Sequence, residues 1–152
     1  MNLKLGKFSY ILAAIFILLF VLSILMFFLV DNTLARRVLF FPGMKSSSGE
    51  TRRVPTQDSV EEDIEVFINE LILGPYNINH IRALPESTRL QNVFLRDSSL
   101  LYIDFSADLI LGDNGFSMNI LNMTEIINKN LEYNFPFLKE IMLSVDGQIL
   151  KI

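Results

Sequence analysis

The feature that most constrains this chain is an apolar run over residues 8–30, interrupted only by the weakly polar Ser9, Tyr10 and Ser23. At about 1.5 Å of rise per residue, a helix of that length spans roughly 34 Å. This is enough to cross the ~30 Å hydrocarbon core of a bilayer with a slight tilt. The run therefore predicts a membrane-spanning helix that holds the rest of the chain beside one lipid surface.

A cleaved signal peptide is the alternative interpretation of this run. Such peptides have an apolar stretch of about 7–15 residues, followed by a small-x-small cleavage site. Here the stretch is longer and continues through Asp31 and Asn32 without a small-residue pair, which favours an uncleaved signal anchor. Because the chain has no cysteine, a lipidated cysteine is excluded as the anchor.

The charges that flank the run do not separate its two sides. Lys4 and Lys7 precede it, and Arg36 and Arg37 follow it closely, so the positive-inside rule gives no clear orientation. The short basic tail before the first span favours a cytoplasmic N-terminus, with the remainder outside the cytoplasmic membrane. The predicted organisation is a tail over residues 1–7, a signal anchor over 8–30, a linker over 31–37 and one domain over 38–152.

The part of the chain after the run is acidic and has the size of one domain. Two of the 13 basic residues precede the run and all 17 acidic residues follow it, so 11 basic residues face 17 acidic ones and the formal charge is −6. The basic residues are mostly scattered along the chain. An acidic domain is repelled by the phosphate backbone of nucleic acid, so we expect no nucleic-acid partner.

Periodicity and turn signals predict the order strand, helix, strand, strand, helix, strand. Ser59 and Glu62 form a capping box at the start of the first helix, and Gly74 and Pro75 end it. The predicted strands lie at residues 38–41, 93–95, 101–105 and 141–145, with further extended pieces at 51–54 and 148–152 and a second helix at 120–131. This order predicts an α+β domain of two layers, with both helices on one face of a small mixed sheet.

Four short segments in this part of the chain occur in a recognisable order. They are residues 71–75 (LILGP), 84–90 (LPESTRL), 103–106 (IDFS) and 145–147 (VDG). Their order and spacing resemble those of the GerMN domain, a family named after a sporulation and spore-germination protein, over residues 38 to 147.

The resemblance implies a small α/β domain outside the cytoplasmic membrane, without known catalysis. Its fold is expected to be similar to the ring-building domains of secretion and sporulation assemblies, and its role to be the assembly or localisation of an envelope complex. The chain departs from the founding pattern, because it carries one copy of the domain and a membrane span instead of a lipid anchor. The sporulation role is therefore not carried over.

The outer face of the predicted sheet is the first candidate for a functional surface. If Leu101, Ile103 and Phe105 face the helices, alternation places a semi-apolar set of side chains on the opposite face. This set comprises Phe94, Leu100, Tyr102 and Met142. Exposed patches of this kind mark interaction sites. Two alternatives stay open: the loop at residues 44–51 or its flanking strands cover the face, or a shifted register exchanges the two faces.

Other polar residues give weaker signals. We expect His80 to be a solvated loop residue, and one histidine without cysteine supplies no zinc ligand set. Asp104, Asp108 and Asp113 lack the spacing of a calcium loop, and short polar side chains at such positions typically cap or turn the backbone. Ser106 is available as a nucleophile, but one loop histidine is a poor basis for a catalytic triad. We predict no catalytic, cofactor or metal site.

The sequence therefore predicts a non-enzymatic, single-span protein of the cytoplasmic (inner) membrane, whose outward domain docks onto an envelope protein or onto itself. The alternative is a module that binds cell-wall material or a peptide through Tyr76, Asn77 and His80. A hydrolase is the weakest hypothesis, since no pair of nucleophile and base is visible in the sequence.

Overall fold

The computed structural model describes residues 6–29, 34–43, 48–112 and 116–150 of the chain. The chain divides into two compact units, Met1–Asn32 and Thr33–Ile152. The first unit contains one helix, α1 (Lys7–Leu29). Within α1, the segment Ser9–Phe27 is long and apolar enough to cross a membrane, a property that membrane anchors share with signal sequences.

The second unit is a mixed α+β domain, which confirms the predicted fold class. Its elements are β1 (Leu34–Phe41), β2 (Ser48–Pro55), α2 (Val60–Leu73), β3 (Leu90–Arg96), β4 (Leu100–Phe105), α3 (Asp108–Leu111), α4 (Ile120–Asn134), β5 (Glu140–Val145) and β6 (Gln148–Ile149). The strands β3-β4-β5-β6 form a mixed sheet in that order, in which β4 and β5 are parallel and the other pairs antiparallel.

The two long helices begin at side-chain caps. Ser59 Oγ accepts a hydrogen bond from the Glu62 backbone at 3.2 Å, as expected for the start of α2. Asn119 caps α4 in the same way through the backbone of Asn122, at 2.8 Å. At Gly74 the backbone takes φ of 87°, a conformation that favours glycine and that ends α2 where the sequence predicts.

The inner face of the mixed sheet packs against the helices and forms the core. Leu101, Ile103 and Phe105 of β4 are fully buried, which confirms the predicted direction of alternation. The turn to β6 lies at Asp146 and Gly147, whose φ values of 47° and 75° suit a tight antiparallel hairpin. The predicted final strand is short, and residues 151–152 lie outside the described residues.

The first two strands differ from the predicted single sheet. β1 starts at Leu34, inside the segment predicted to be a linker. Among the described residues it pairs with β2 alone, in an antiparallel hairpin that forms its own two-stranded sheet. β2 starts at Ser48, so it includes the second half of the loop predicted at 44–51. Residues 44–47 of that loop lie outside the described residues.

Two asparagines of α4 explain why β1 does not join the mixed sheet. Asn130 Oδ1 accepts from the Phe40 N–H at 2.7 Å, and its Nδ2 donates to the Phe40 carbonyl at 2.9 Å. Asn134 makes the same pair of bonds with Val38, at 2.9 Å and 2.7 Å. These amides bond the backbone N–H and C=O groups on the edge of β1 that faces away from β2. In a larger sheet a neighbouring strand makes these bonds.

Candidate functional site

Three of the four predicted surface residues form one row across the mixed sheet. Phe94 of β3 is directly opposite Tyr102 of β4, which is directly opposite Met142 of β5. The rings of Phe94 and Tyr102 have centroids 6.4 Å apart and are tilted by 41°. Leu100 lies in the adjacent row, opposite Arg96 and Glu140. The four residues therefore share one face, and we refer to them as the open sheet face.

This face is partly open to solvent. Phe94 is 57% exposed, whereas Leu100, Tyr102 and Met142 are half-buried. A large aromatic side chain left this exposed is not needed by the core. The arrangement provides a flat apolar surface, with Arg96 and Glu140 as charged neighbours on one side.

The polar row next to the face has a local structural role. Asp104 Oδ1 accepts hydrogen bonds from Ser144 Oγ at 2.6 Å and from the Gly147 backbone at 3.0 Å. Asp104 therefore fixes the turn after β5, in agreement with the expectation that it caps or turns the chain. Asp113 lies outside the described residues. Among the residues that the structure describes, no group of three acidic or histidine side chains is placed to hold a metal ion.

His80 is not the solvated loop residue that the sequence suggests, and that prediction is wrong. Its side chain is 8% exposed, and its Nδ1 lies 2.8 Å from Glu50 Oε1. Its ring stacks on Phe41 of β1, with centroids 6.4 Å apart. The burial arises because residues 80 and 81 dock on the end of the hairpin, where Gly43 pairs with His80.

Arg52 is the centre of a buried ionic cluster that sequence reasoning missed. Its side chain is 4% exposed and forms ion pairs at 3.0 Å with both Glu50 and Glu70. It also donates to the carbonyl of Gly74 at 2.6 Å, and its guanidinium lies 3.8 Å from the centroid of the Tyr76 ring. The sequence of β2 contains a signal for this cluster. Residues 50, 52 and 54 are spaced by two, so Glu50 and Arg52 lie on the same inward face as the buried Val54.

Glu50 is the acceptor that fixes the loop after α2. Burial acts to raise the pKa of this carboxyl, but the backbone N–H groups of Asn77 and Tyr76, with Arg52 and His80, outweigh it and lower the pKa from 4.5 to about 2. The backbone bonds measure 2.9 Å and 3.1 Å. Glu50 is therefore ionised across the physiological pH range and holds the loop as a charged group.

The residues of the alternative hypotheses are engaged in this structure. The wall-binding hypothesis used Tyr76, Asn77 and His80, of which His80 is buried, and the Asn77 backbone bonds Glu50. Ser106, considered as a nucleophile, donates to Asp108 at 3.1 Å and accepts from the Arg89 backbone at 3.1 Å. The Tyr76 side chain is 76% exposed.

Comparison with known proteins identifies relatives of the domain. The family model described as "Germane: Sporulation and spore germination" matches residues 38–151. The first GerMN domain of the sporulation protein GerM from Bacillus subtilis is similar in structure, with a TM-score of 0.57 and 18% identity, covering 77% of this chain and 86% of that one. The tandem GerMN domains of the same protein give a TM-score of 0.58 at 18% identity, covering 78% of this chain and 41% of that one. No curated protein matches the sequence.

Proposed function

Because the chain belongs to the Germane family of sporulation and spore germination domains, we propose that it is a membrane-anchored interaction protein of the cell envelope. The domain acts outside the cytoplasm and helps to assemble or localise an envelope complex. It works as a scaffold without catalysis, by docking its open sheet face onto another envelope protein.

The anchor in this proposal is α1, kept as an uncleaved single span of the cytoplasmic membrane. Its span of Ser9–Phe27 has the required length and apolar composition. The basic tail with Lys4 and Lys7 supports a cytoplasmic N-terminus, which directs the domain outwards. The anchor confines the domain to a layer next to the membrane and so raises its effective concentration for partners in the same membrane.

The exposed row of Phe94, Tyr102 and Met142 is the observation that carries the docking proposal. Aromatic residues and methionine are enriched at protein interfaces, where each buries a large apolar area. The row is presented on three hydrogen-bonded strands and is therefore preorganised, with Phe94 57% exposed as its most prominent member. A partner surface that covers the row gains the free energy of burying these side chains.

The test is photo-crosslinking in cells with a photoreactive phenylalanine analogue at position 94 of the full-length protein. We expect a discrete protein adduct that mass spectrometry identifies and that the second substitution Tyr102→Arg abolishes. The matched control places the analogue at Ile110, which is 55% exposed on α3 and lies outside the open sheet face. Circular dichroism of Tyr102→Arg checks that the domain remains folded.

Three results overturn the proposal. The first is the same adducts from positions 94 and 110, and the second is an adduct at position 94 that Tyr102→Arg does not change. The third is recovery of wall polymer without a protein, which selects the ligand-binding module instead. If Tyr102→Arg does not fold, Phe94→Arg takes its place, since Phe94 is the most exposed member of the face. Its binding to the purified partner protein is then measured.

A further inference from the structure

The β1–β2 hairpin carries two consecutive pairs of arginines across its strands. Arg36 is directly opposite Arg53, and Arg37 is directly opposite Arg52. Alternation turns the second pair towards the interior, whereas Arg36 and Arg53 are exposed on the outer face of the hairpin. We refer to Arg36 and Arg53 as the outer pair and to the other two arginines as the inner pair. The same residue type therefore occurs on both faces of one hairpin.

The inner pair is neutralised by carboxylates. Arg37 Nη2 lies 3.5 Å from Asp63 Oδ2. Arg52 forms ion pairs at 3.0 Å with both Glu50 and Glu70. In contrast, neither arginine of the outer pair forms an ion pair with a residue that the structure describes. Like charges directly opposite each other on two strands are destabilising, so the outer pair carries an electrostatic cost that a bound anion removes.

The outer face of the hairpin suits a phosphate group. In the described strands, the other residues of this face are Leu34, Val38, Phe40, Gly49, Thr51 and Pro55, and none of them is acidic. Cross-strand neighbours have Cβ atoms about 4.5–5.5 Å apart, which brings two guanidinium groups side by side. Each guanidinium presents a planar fork of donors that matches phosphate oxygens. A phosphate is therefore the ligand chemistry that fits the outer pair.

The position of the outer pair in the chain favours a phosphate of the membrane surface. This step rests on the proposed function, because it takes α1 as the membrane anchor. α1 ends at Leu29 and β1 starts at Leu34. Even when fully extended, this connection spans at most about 18 Å, and Arg36 follows about 7 Å further along the strand. A residue tethered this closely to a membrane span is within reach of the headgroup layer, which borders the hydrocarbon core.

The acidic remainder of the domain limits how the domain faces an anionic bilayer. Its formal charge of −6, as counted above, is repelled by such a surface. Physiological salt screens this repulsion beyond about 8 Å, so the groups nearest to the lipid decide the orientation. On the outer face these groups are the outer pair and Leu34, which is 47% exposed. We propose that the outer pair binds headgroup phosphates of anionic phospholipids in the leaflet beside the domain, and so turns the outer face of the hairpin towards the membrane.

The absence of cysteine allows a direct test. A fluorescent label is attached to Thr51→Cys in the full-length protein, because Thr51 is exposed on the outer face and lies two residues before Arg53. The protein is reconstituted in vesicles of equal parts phosphatidylglycerol and phosphatidylcholine, and in vesicles of phosphatidylcholine alone. Both contain the same trace of a lipid with a nitroxide on its headgroup, which quenches a label close to it. We expect stronger quenching in the anionic vesicles, and equal quenching in the two compositions overturns the inference.

Removal of the outer pair provides the matched comparison. Arg36→Gln combined with Arg53→Gln should lower the quenching in anionic vesicles to the level in phosphatidylcholine. One basic residue near an anionic surface changes the ratio of docked to undocked domain by about fivefold, so loss of both lowers it by roughly thirtyfold. The control combines Arg89→Gln with Arg96→Gln, which removes the same charge from exposed positions outside the hairpin. Equal quenching in the two double variants overturns the inference.

Salt gives a measurement that needs no change to the outer pair. Raising the ionic strength from 0.1 M to 1 M shortens the Debye length from about 10 Å to about 3 Å. Since the outer pair is exposed, the quenching in anionic vesicles should fall towards the level in phosphatidylcholine. Quenching that salt does not change overturns the inference even if the double variant does not fold.

Alkaline extraction of the same vesicles separates this inference from the proposed function. Release of the protein shows that α1 is not inserted, which overturns the anchor and the inference together. Retention of the protein without a difference between the two double variants overturns the inference alone. If loss of the outer pair abolishes the photo-crosslinked adduct at position 94 and leaves the quenching unchanged, the outer pair binds the protein partner and the inference is wrong.

Discussion

The mixed sheet and the β1–β2 hairpin bury different chemistry. The inner face of the mixed sheet is apolar, with Leu101, Ile103 and Phe105 of β4 fully covered. The inner face of the hairpin combines the buried Leu39 and Phe41 with the ionic cluster around Arg52. Apolar burial is nondirectional, whereas buried ions need every partner in place. The mixed sheet therefore depends on packed apolar volume, and the hairpin depends on individual charges.

The largest expected effect comes from removing the central cation of the hairpin. Arg52→Met leaves Glu50 and Glu70, whose side chains are 12% and 23% exposed, without their shared cation. Since these acids keep some access to water, we expect a loss of about 3–4 kcal/mol of the free energy of unfolding, the lower part of the range for a broken buried ion pair. Urea denaturation measures this loss. Arg53→Met is the matched control, because Arg53 is the next residue along β2 and is exposed. The control should change the free energy by at most about 0.5 kcal/mol, and equal losses in the two variants contradict the assigned role of the cluster.

Lowering the pH should next distinguish the hairpin, which contains Glu50, from the mixed sheet. Since the pKa of Glu50 falls from 4.5 to about 2 on folding, its contribution is fully present above pH 4.5 and is lost as the pH falls towards 2. A difference of that size corresponds to about 3 kcal/mol. Free energies of unfolding from urea denaturation at pH 6 and pH 3 should differ by about 2 kcal/mol through this group, because pH 3 lies between its two pKa values. Glu50→Gln should show a flatter dependence because position 50 no longer titrates. An unchanged slope in that variant assigns the acid sensitivity to other carboxyls.

The bonds between α4 and β1 predict a smaller effect. Asn130→Ala leaves the N–H and C=O of Phe40 without partners in a site where Asn130 is fully buried, and we expect a loss of about 2 kcal/mol. Asn134→Ala should cost less, because residue 134 is only half-buried and water replaces part of its bonding. Thermal denaturation of both variants tests this order, and a greater loss in Asn134→Ala contradicts it.

The sequence predicts the mixed sheet better than the hairpin for a physical reason. Alternation along β4 identifies Ile103 as buried and Tyr102 as outward-facing, because both properties follow from neighbours along the strand. The positions of Asn130 and His80 depend on partners that are distant in sequence. Asn130 bonds a strand 90 residues away, and His80 contacts Glu50 across 30 residues. No local periodicity encodes such pairs, so a loop histidine and a helical asparagine look like ordinary polar residues.

The exposed residues also differ in how well the sequence predicts them. The row of Phe94, Tyr102 and Met142 follows from strand alternation and from the correct pairing of three strands. The 93% exposure of Ile78 in the loop after α2 does not, because an isoleucine in a loop gives no indication of whether it is covered. The loop that carries it is bonded by Glu50 and Arg52, which lie more than 20 residues earlier in the chain.

The smallest expected effect is on the open sheet face, and it distinguishes a surface for binding from a surface for folding. Phe94→Ala removes a ring that is 57% exposed and that contacts Tyr102 across one strand pair. The expected loss is at most about 1 kcal/mol, the scale of one cross-strand pair. Phe105→Ala makes the same change at a fully buried position of the same sheet and should cost about 3–5 kcal/mol. Denaturation of both variants by urea measures the difference. A loss in Phe94→Ala that equals the loss in Phe105→Ala shows that the face is packed in solution, and a surface already packed has no area left to offer a partner.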